Sequence, residues 1–238
     1  MSSILRPKGR ENLPKEILKF GNNLVYSEGT RTEPYYVENI KNLIATKYSC
    51  KSSDIHIIPV NKDGNSYNTD GLVKYAFKDV DKRIKSGDNI DHVWIFFDKD
   101  DFPKSKFNNA NQLIKAKNNS KKLNDYGFHY DIKTGISWHS CWSNEAFELW
   151  LTLYFKLDSA KHHRSEYIEY LDSIFGKYHK GDSYQKNLVN IHDKLITCGG
   201  SLENAIKYCK KINKNYGNDN PSTGVVEFVE FFKPYFKK

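Results

Sequence analysis

The sequence predicts an α/β fold: a largely parallel central sheet flanked by helices, followed by a mostly helical C-terminal part. Three observations predict it. Short apolar runs alternate with amphipathic stretches through the first half of the 238-residue chain, the order that builds parallel sheets. One run, "HVWIFF" (92–97), is apolar without interruption, as befits a strand covered on both faces. After Ser143 the strand-like runs give way to helical spacing.

Residues 1–20 are polar and basic and read as a loose N-terminal arm. "NLVYSEG" (23–29) is the first strand. From Pro34 to Tyr48 the apolar residues Val37, Ile40, Ile44 and Tyr48 recur at helical spacing, and Pro34 suits a first helical turn. "DIHIIPV" (54–60) is the second strand. Leu72, Val73, Ala76, Phe77, Val80 and Ile84 mark a second helix closed by Gly87. The third strand, 92–97, runs straight into Asp98, Asp100 and Asp101. A third helix passes through Phe107, Ala110, Leu113 and Ile114, and "GFHYDI" (127–132) and "GISWHS" (135–140) are weaker strand patterns.

"SNEAFELWLTLYF" (143–155) opens on a capping residue, Ser143, and predicts a helix over 143–156. Helices are also predicted in "SEYIEYLDSIF" (165–175), "YQKNLVNIHDKL" (184–195), "SLENAIKYCKKI" (201–212) and "TGVVEFVEFF" (223–232). The chain thus divides into an arm (1–20), an α/β core (21–142) and a helical part (143–238) packed on that core.

Net charge is +8 and the isoelectric point is about 9.1. Such a surplus fits a nucleic-acid partner, and equally a lysine-biased composition that serves solubility. The four cysteines, Cys50, Cys141, Cys198 and Cys209, form no CxxC pair, which argues against a disulfide framework or a zinc ribbon. The N-terminal stretch lacks the apolar core of a secretory signal, and no run reaches membrane-spanning length. The expectation is a soluble, cytoplasmic protein. Without a Walker A loop, nucleotide hydrolysis would need a partner.

The chemistry concentrates at strand ends, where parallel sheets form their sites. Glu28 ends the first strand; Asp98 and Asp100 end the third. On an extended backbone positions i and i+2 share a side, so Asp98 and Asp100 can face one ion together, with Glu28 in reach if the strands are neighbours. Such hard oxygen donors suit Mg²⁺ or Mn²⁺, and a cation relieves the mutual repulsion of clustered carboxylates. The competing reading makes "DKDD" a solvated turn and Glu28 a surface acid.

The same residues carry a family resemblance. A strand ending in Glu-Gly and a later one ending in Asp-x-Asp resemble the Toprim domain of topoisomerases, primases and related nucleases. More closely, "SEGTRTEPYYVENI", "FFDKDDF" and "ISWHSCWSNEAFELWLTLYF" resemble segments of the RloB-like family, and "YHKG" (178–181) and "NPST" (220–223) fall where that family has Tyr-x-Lys and Asn-Pro-x-Thr elements. The resemblance spans roughly residues 22–235, in order. One departure is Glu145-Ala146, where the family has Pro-Cys after Ser-Asn; Glu145 either adds a carboxylate near the site or favours a helix N-terminus.

The resemblance implies a Toprim-like, metal-dependent nuclease. It would act as an effector of antiphage defence and abortive infection at restriction-linked loci, often beside an ABC-type or AAA ATPase. Its substrate would be RNA or DNA, with transfer RNA favoured by analogy with related effectors. The metal would be Mg²⁺ or Mn²⁺. The alternative is a non-catalytic binding or regulatory subunit of a defence ATPase complex. Primase-like nucleotidyl transfer is weakened by the missing zinc ribbon. The oligomeric state is left open.

Glu28 is read as metal ligand or acid/base at the scissile phosphate, and Asp98 and Asp100 as the metal pair. Asp101 either ligates or orients a water. Glu33 is a ligand or a helix-start acid. Glu148, set among apolar residues, is either a second metal-site acid or half of a buried salt bridge. Lys180 is assigned to a phosphate or to transition-state charge. Gly29, Thr32, Ser143 and Asn144 are assigned to substrate phosphate, Gly29 through close backbone approach or a positive φ, and Ser143 and Asn144 through a helix N-terminus; Thr32 also reads as a cap. His139 and Cys141 read as structural. His162 and His163 read as solvated, and the late aromatics Phe228, Phe231, Phe232, Tyr235 and Phe236 as core or a partner surface.

Overall fold

The computed structural model describes residues 21–44, 54–60, 68–99, 104–118, 131, 134–217 and 219–237. The arm 1–20, Cys50, Asp100, Asp101 and most of the "GFHYDI" run lie outside the described residues. A four-stranded, all-parallel sheet forms the centre, in the order β2-β1-β3-β4. Its strands are β1 (Asn23–Ser27), β2 (Ile55–Pro59), β3 (His92–Asp98) and β4 (Ser137–Ser143). The α/β class and the parallel sheet are those the sequence predicts.

Side-chain alternation along the strands divides the apolar core in two. Leu24, Tyr26, Val93, Ile95 and Phe97 face one side, and α2 (Thr69–Lys85) and α3 (Lys104–Lys117) pack there through Leu72, Val73, Ala76, Val80, Ala110 and Ile114. Val25, Trp94, Phe96 and Cys141 face the other, under α1 (Thr32–Leu43) and the C-terminal helices. From Val93 to Phe97 every β3 side chain is essentially inaccessible, which explains the unbroken apolar run.

The helices after the sheet are α4 (Glu148–Thr152), α5 (Arg164–Tyr178), α6 (Ile191–Thr197), α7 (Leu202–Tyr216) and α8 (Val225–Phe232), followed by a 3-10 turn (Lys233–Tyr235). Helix α8 lies against β4 and puts Phe228 edge-on to both Trp94 and Phe96, centroids 5.2 Å apart in each pair. The late aromatics Phe228, Phe231, Phe232 and Tyr235 are buried core. Gly224 permits the chain to cross β4 before α8 begins: a Cβ there would stand 2.7 Å from the Ser140 carbonyl oxygen. No described helix is long and apolar enough to cross a membrane.

Three elements differ from the sequence reading. The strand pattern at 135–140 extends through Ser143, because Cys141 and Trp142 are β residues buried on opposite faces. Ser143 is therefore the last residue of β4 and not a helix cap, and the helix expected over 143–156 shrinks to five residues starting at Glu148. Within 184–195 only Ile191 onward is in α6; the preceding residues form turns that fold back over α1. Finally, α1 starts at Thr32 behind Arg31, so Thr32 is a first-turn residue and not the cap.

Candidate active site

The strand order places the site. The chain leaves β1 toward β2 on one side and returns to β3 on the other, so the loops after β1 and β3 diverge and open a crevice at their carboxyl ends. The Glu28 N–H donates to the Phe96 carbonyl (3.1 Å) and the Lys99 N–H to the Ser143 carbonyl (2.9 Å), extending the ladder one step past the strands. Glu28 and Asp98 are thereby held side by side: the Asp98 N–H donates to the Glu28 carboxylate.

Two more acids join them. Glu33 comes from the first turn of α1 and Glu148 from the first turn of α4. The Phe147 N–H at the start of α4 opposes the rise of the Asp98 carboxylate at the end of β3. Glu28, Glu33, Asp98 and Glu148 all line one cleft of about 340 Å³, together with Gly29, Arg31, Thr32 and Lys186. Glu33 is 8% exposed and Glu148 2%.

Burial and mutual repulsion act on Glu28, Glu33 and Asp98 in the same direction. Burial pushes Glu28 up to about 7, Glu33 adds to it, and Arg164 opposes it. Glu33 is also pushed to about 7, by burial first and then by Glu148, against its own backbone N–H, the charge of Lys186 and the Gly29 N–H. Asp98 is raised well above the ordinary carboxylate range by burial and then by Glu33, Glu148 and Glu28. Glu28, Glu33 and Asp98 are thus all biased toward the protonated form.

Glu148 has two partners. The Tyr184 hydroxyl donates to its Oε1 at 2.9 Å, and Lys186 Nζ stands 3.5 Å from the same oxygen. The salt bridge anticipated for Glu148 exists, and the residue still faces the cleft.

Gly29 has a specific reason to lack a side chain. A Cβ there would fall 2.7 Å from the Glu33 carboxyl carbon, so the glycine leaves room for the Glu33 carboxylate, and a side chain at this position would push that carboxylate aside. The Thr32 hydroxyl donates to the Lys186 carbonyl (3.1 Å) and fixes the segment that carries Lys186. Ser143 and Asn144 are buried under the 220–223 segment. The Ser143 hydroxyl meets Thr223 (3.1 Å), and the Asn144 amide donates to Ser222 (2.6 Å). With α4 starting at Glu148, the helix N-terminus that argued for anion binding at Ser143 and Asn144 is absent. Glu145 sits at φ 64 with its side chain toward Asn220, outside the cleft lining.

Lys180 is exposed in the turn after α5 and does not line the cleft. Of the five Tyr-x-Lys triplets in the sequence, 154–156, 178–180, 184–186, 208–210 and 235–237, the one at 184–186, and not the one at 178–180, reaches the site. Nothing local distinguishes these two except that Tyr184 is buried and Tyr178 exposed. Arg31 and Arg164 were not singled out from sequence either; Arg31 precedes α1 and Arg164 opens α5.

The donor types fit a hard divalent cation: carboxylate oxygens from the ends of β1 and β3 and from α1 and α4. Among the described residues, however, no three His, Cys, Asp or Glu are gathered closely enough to hold an ion. A cation would have to draw the carboxylates together. His139 and Cys141 are structural, as expected. His139 stacks on Trp94 at 3.8 Å and its Nε2 meets His92 Nδ1 at 3.1 Å, while Cys141 is buried in the core.

A family model described as RloB-like protein matches residues 23–232 of this chain. No curated protein and no solved structure matches it.

Proposed function

The chain belongs to the RloB-like protein family, and from that premise we propose that it is a metal-dependent phosphodiesterase of Toprim type, an endonuclease acting on RNA, with transfer RNA the favoured class, or on DNA in antiphage defence. One observation carries the reading. Four acids from separate elements, Glu28, Glu33, Asp98 and Glu148, open onto one cleft that also admits a lysine.

Glu28, Asp98 and Glu33 would hold Mg²⁺ or Mn²⁺, with Glu148 beside them and Asp100 completing the set from outside the described residues. The cation, when bound, supplies polarisation of the phosphoryl group and neutralises charge on it. The protein's own groups do the rest. Glu28, at the end of β1 in the cleft, would take a proton from the attacking water or ribose hydroxyl. Arg31 and Lys186 stand at the cleft to meet phosphate oxygens. The +8 charge draws the polyanion in. An ATPase of ABC or AAA type encoded nearby is the proposed partner, and it would supply the nucleotide chemistry that the chain lacks.

A second reading, a binding or regulatory subunit without chemistry, is favoured by the looseness of the acids and by the neutralisation of Glu148 by Lys186. One experiment separates the two. Purified protein, alone and with the ATPase, is incubated with total RNA and with plasmid DNA in Mg²⁺ or Mn²⁺, beside Glu28→Ala and Asp98→Ala. The nuclease reading expects cleavage by the wild type and a loss of about 100-fold or more in each variant. Cleavage that survives both substitutions sinks the site; absence of Mn²⁺ binding in calorimetry establishes the scaffold.

A further inference from the structure

We propose that Lys186 is an exchangeable counter-ion. It neutralises Glu148 while no divalent cation is bound, and is released to the substrate phosphate when one enters. The inference rests on the nuclease reading above and adds to it a step of site assembly.

The two partners of the ion pair are anchored differently. Glu148 is 2% exposed and fixed by the Tyr184 hydroxyl, which does not depend on Lys186. The Lys186 side chain is 52% exposed, and its Nζ reaches Glu148 at 3.5 Å, the long end of a salt bridge. Its backbone is pinned, because the Lys186 carbonyl accepts from Thr32 on α1. A fixed backbone with a flexible, half-solvated stem lets the ammonium swing while its root stays at the cleft rim.

The electrostatics give the swing a cause. Lys186 also acts on Glu33, opposing the burial that raises it. A divalent cation among Glu28, Glu33, Asp98 and Glu148 would repel the ammonium from that position. The nearest anion for a displaced Lys186 is then a phosphate entering the same cleft. The open spacing of the acids belongs to this arrangement: a lysine reaching in from the rim neutralises them from one side and does not collect them around one centre.

The test uses Lys186→Gln and Lys186→Arg in the full-length protein, with Mn²⁺ alone as one probe and a fluorescein-labelled oligoribonucleotide in Mg²⁺ as the other. Calorimetry should show Lys186→Gln binding Mn²⁺ about fivefold more tightly than wild type, since the competing charge is gone. Anisotropy should show the same variant binding the oligonucleotide more weakly, with a shallower salt dependence. Lys186→Arg should restore oligonucleotide binding. A lysine that only supports the fold would weaken both affinities and lower the melting temperature, and that result overturns the inference. So does unchanged Mn²⁺ affinity, or tighter Mn²⁺ binding with unchanged oligonucleotide affinity. If the wild type binds no Mn²⁺, the nuclease reading falls and the inference with it. If the wild type binds Mn²⁺ and Lys186→Gln binds it no better, the inference falls alone.

Discussion

At the scale of single residues, Gly29 and Glu33 form one unit. The absent Cβ of Gly29 makes the room that the Glu33 carboxylate occupies, beside the Gly29 N–H, whose dipole favours its charged form. Gly29→Ala should destabilise the protein by about 1–3 kcal/mol through overpacking. Gly29→Ala combined with Glu33→Ala should recover most of that loss in urea unfolding, and a double variant no more stable than the single one would remove the clash as its cause. A second residue-scale expectation concerns the His92–His139 pair. Burial holds His92 down to about 4, and burial with the charge of His92 holds His139 well below its usual value. Tyr235, Phe231 and Trp94 share that core. A base whose folded value is depressed is protonated first in the unfolded chain. The contribution of His92 should therefore be intact above about pH 6.5 and be lost as pH drops toward 4, by on the order of 3 kcal/mol, against the opposite trend from Glu28 and Glu33, whose raised values favour the folded state as pH falls through 7. The stability difference between wild type and His92→Gln, followed across that window by urea unfolding, isolates the His92 share, and a difference that does not change with pH would contradict it.

At the scale of elements, the sequence was legible wherever periodicity was strong and contacts were local. The strands at 23–29, 54–60 and 92–97 and the helices over Leu72–Ile84, 165–175 and 201–212 stand where their patterns put them. The stretch from Ser143 to Phe155 misled because its apolar residues satisfy a strand and a helix in succession, and periodicity carries no marker of the change. Its end is set by a tertiary partner: Ser143 bridges to Thr223, and Asn144 donates to Ser222 from both its backbone N–H and its side-chain amide, across about eighty residues. The carboxylates Glu28 and Asp98 were legible because each directly follows an apolar strand. Lys186 and Tyr184 were not, because a turn brings them to the cleft and turns leave no spacing to read. Asn144→Ala removes a buried amide whose partners stay behind, and should cost about 1–3 kcal/mol with little change in the isolated Glu28–Asp98 geometry. Denaturant unfolding measures the cost; a change under about 0.5 kcal/mol would mean that the 220–223 segment is held by other contacts.

At the scale of the whole molecule, the site couples stability to its ligand. Any cation bound by the folded cleft and not by the unfolded chain stabilises by mass action, by about 2.7 kcal/mol at one hundred times its dissociation constant. Mg²⁺ or Mn²⁺ should therefore raise the melting temperature of the wild type and leave that of Asp98→Ala unmoved. Equal shifts in both would place the ions elsewhere on the protein.

The segment carrying Tyr184 and Lys186 has a temporal consequence. It is fastened to α1 by Thr32 to Lys186 and by Asn39 to the Val189 carbonyl, bonds that join positions 154 and 150 residues apart. Contacts of such long range form late, because a large loop must close before they are made. During synthesis β1 and β3 can pair as soon as both have left the ribosome, yet Glu148 and its two partners are still to come. A nascent or truncated chain therefore holds the first acids without the residues that govern them, and only a polypeptide extended past Lys186 possesses a complete cleft.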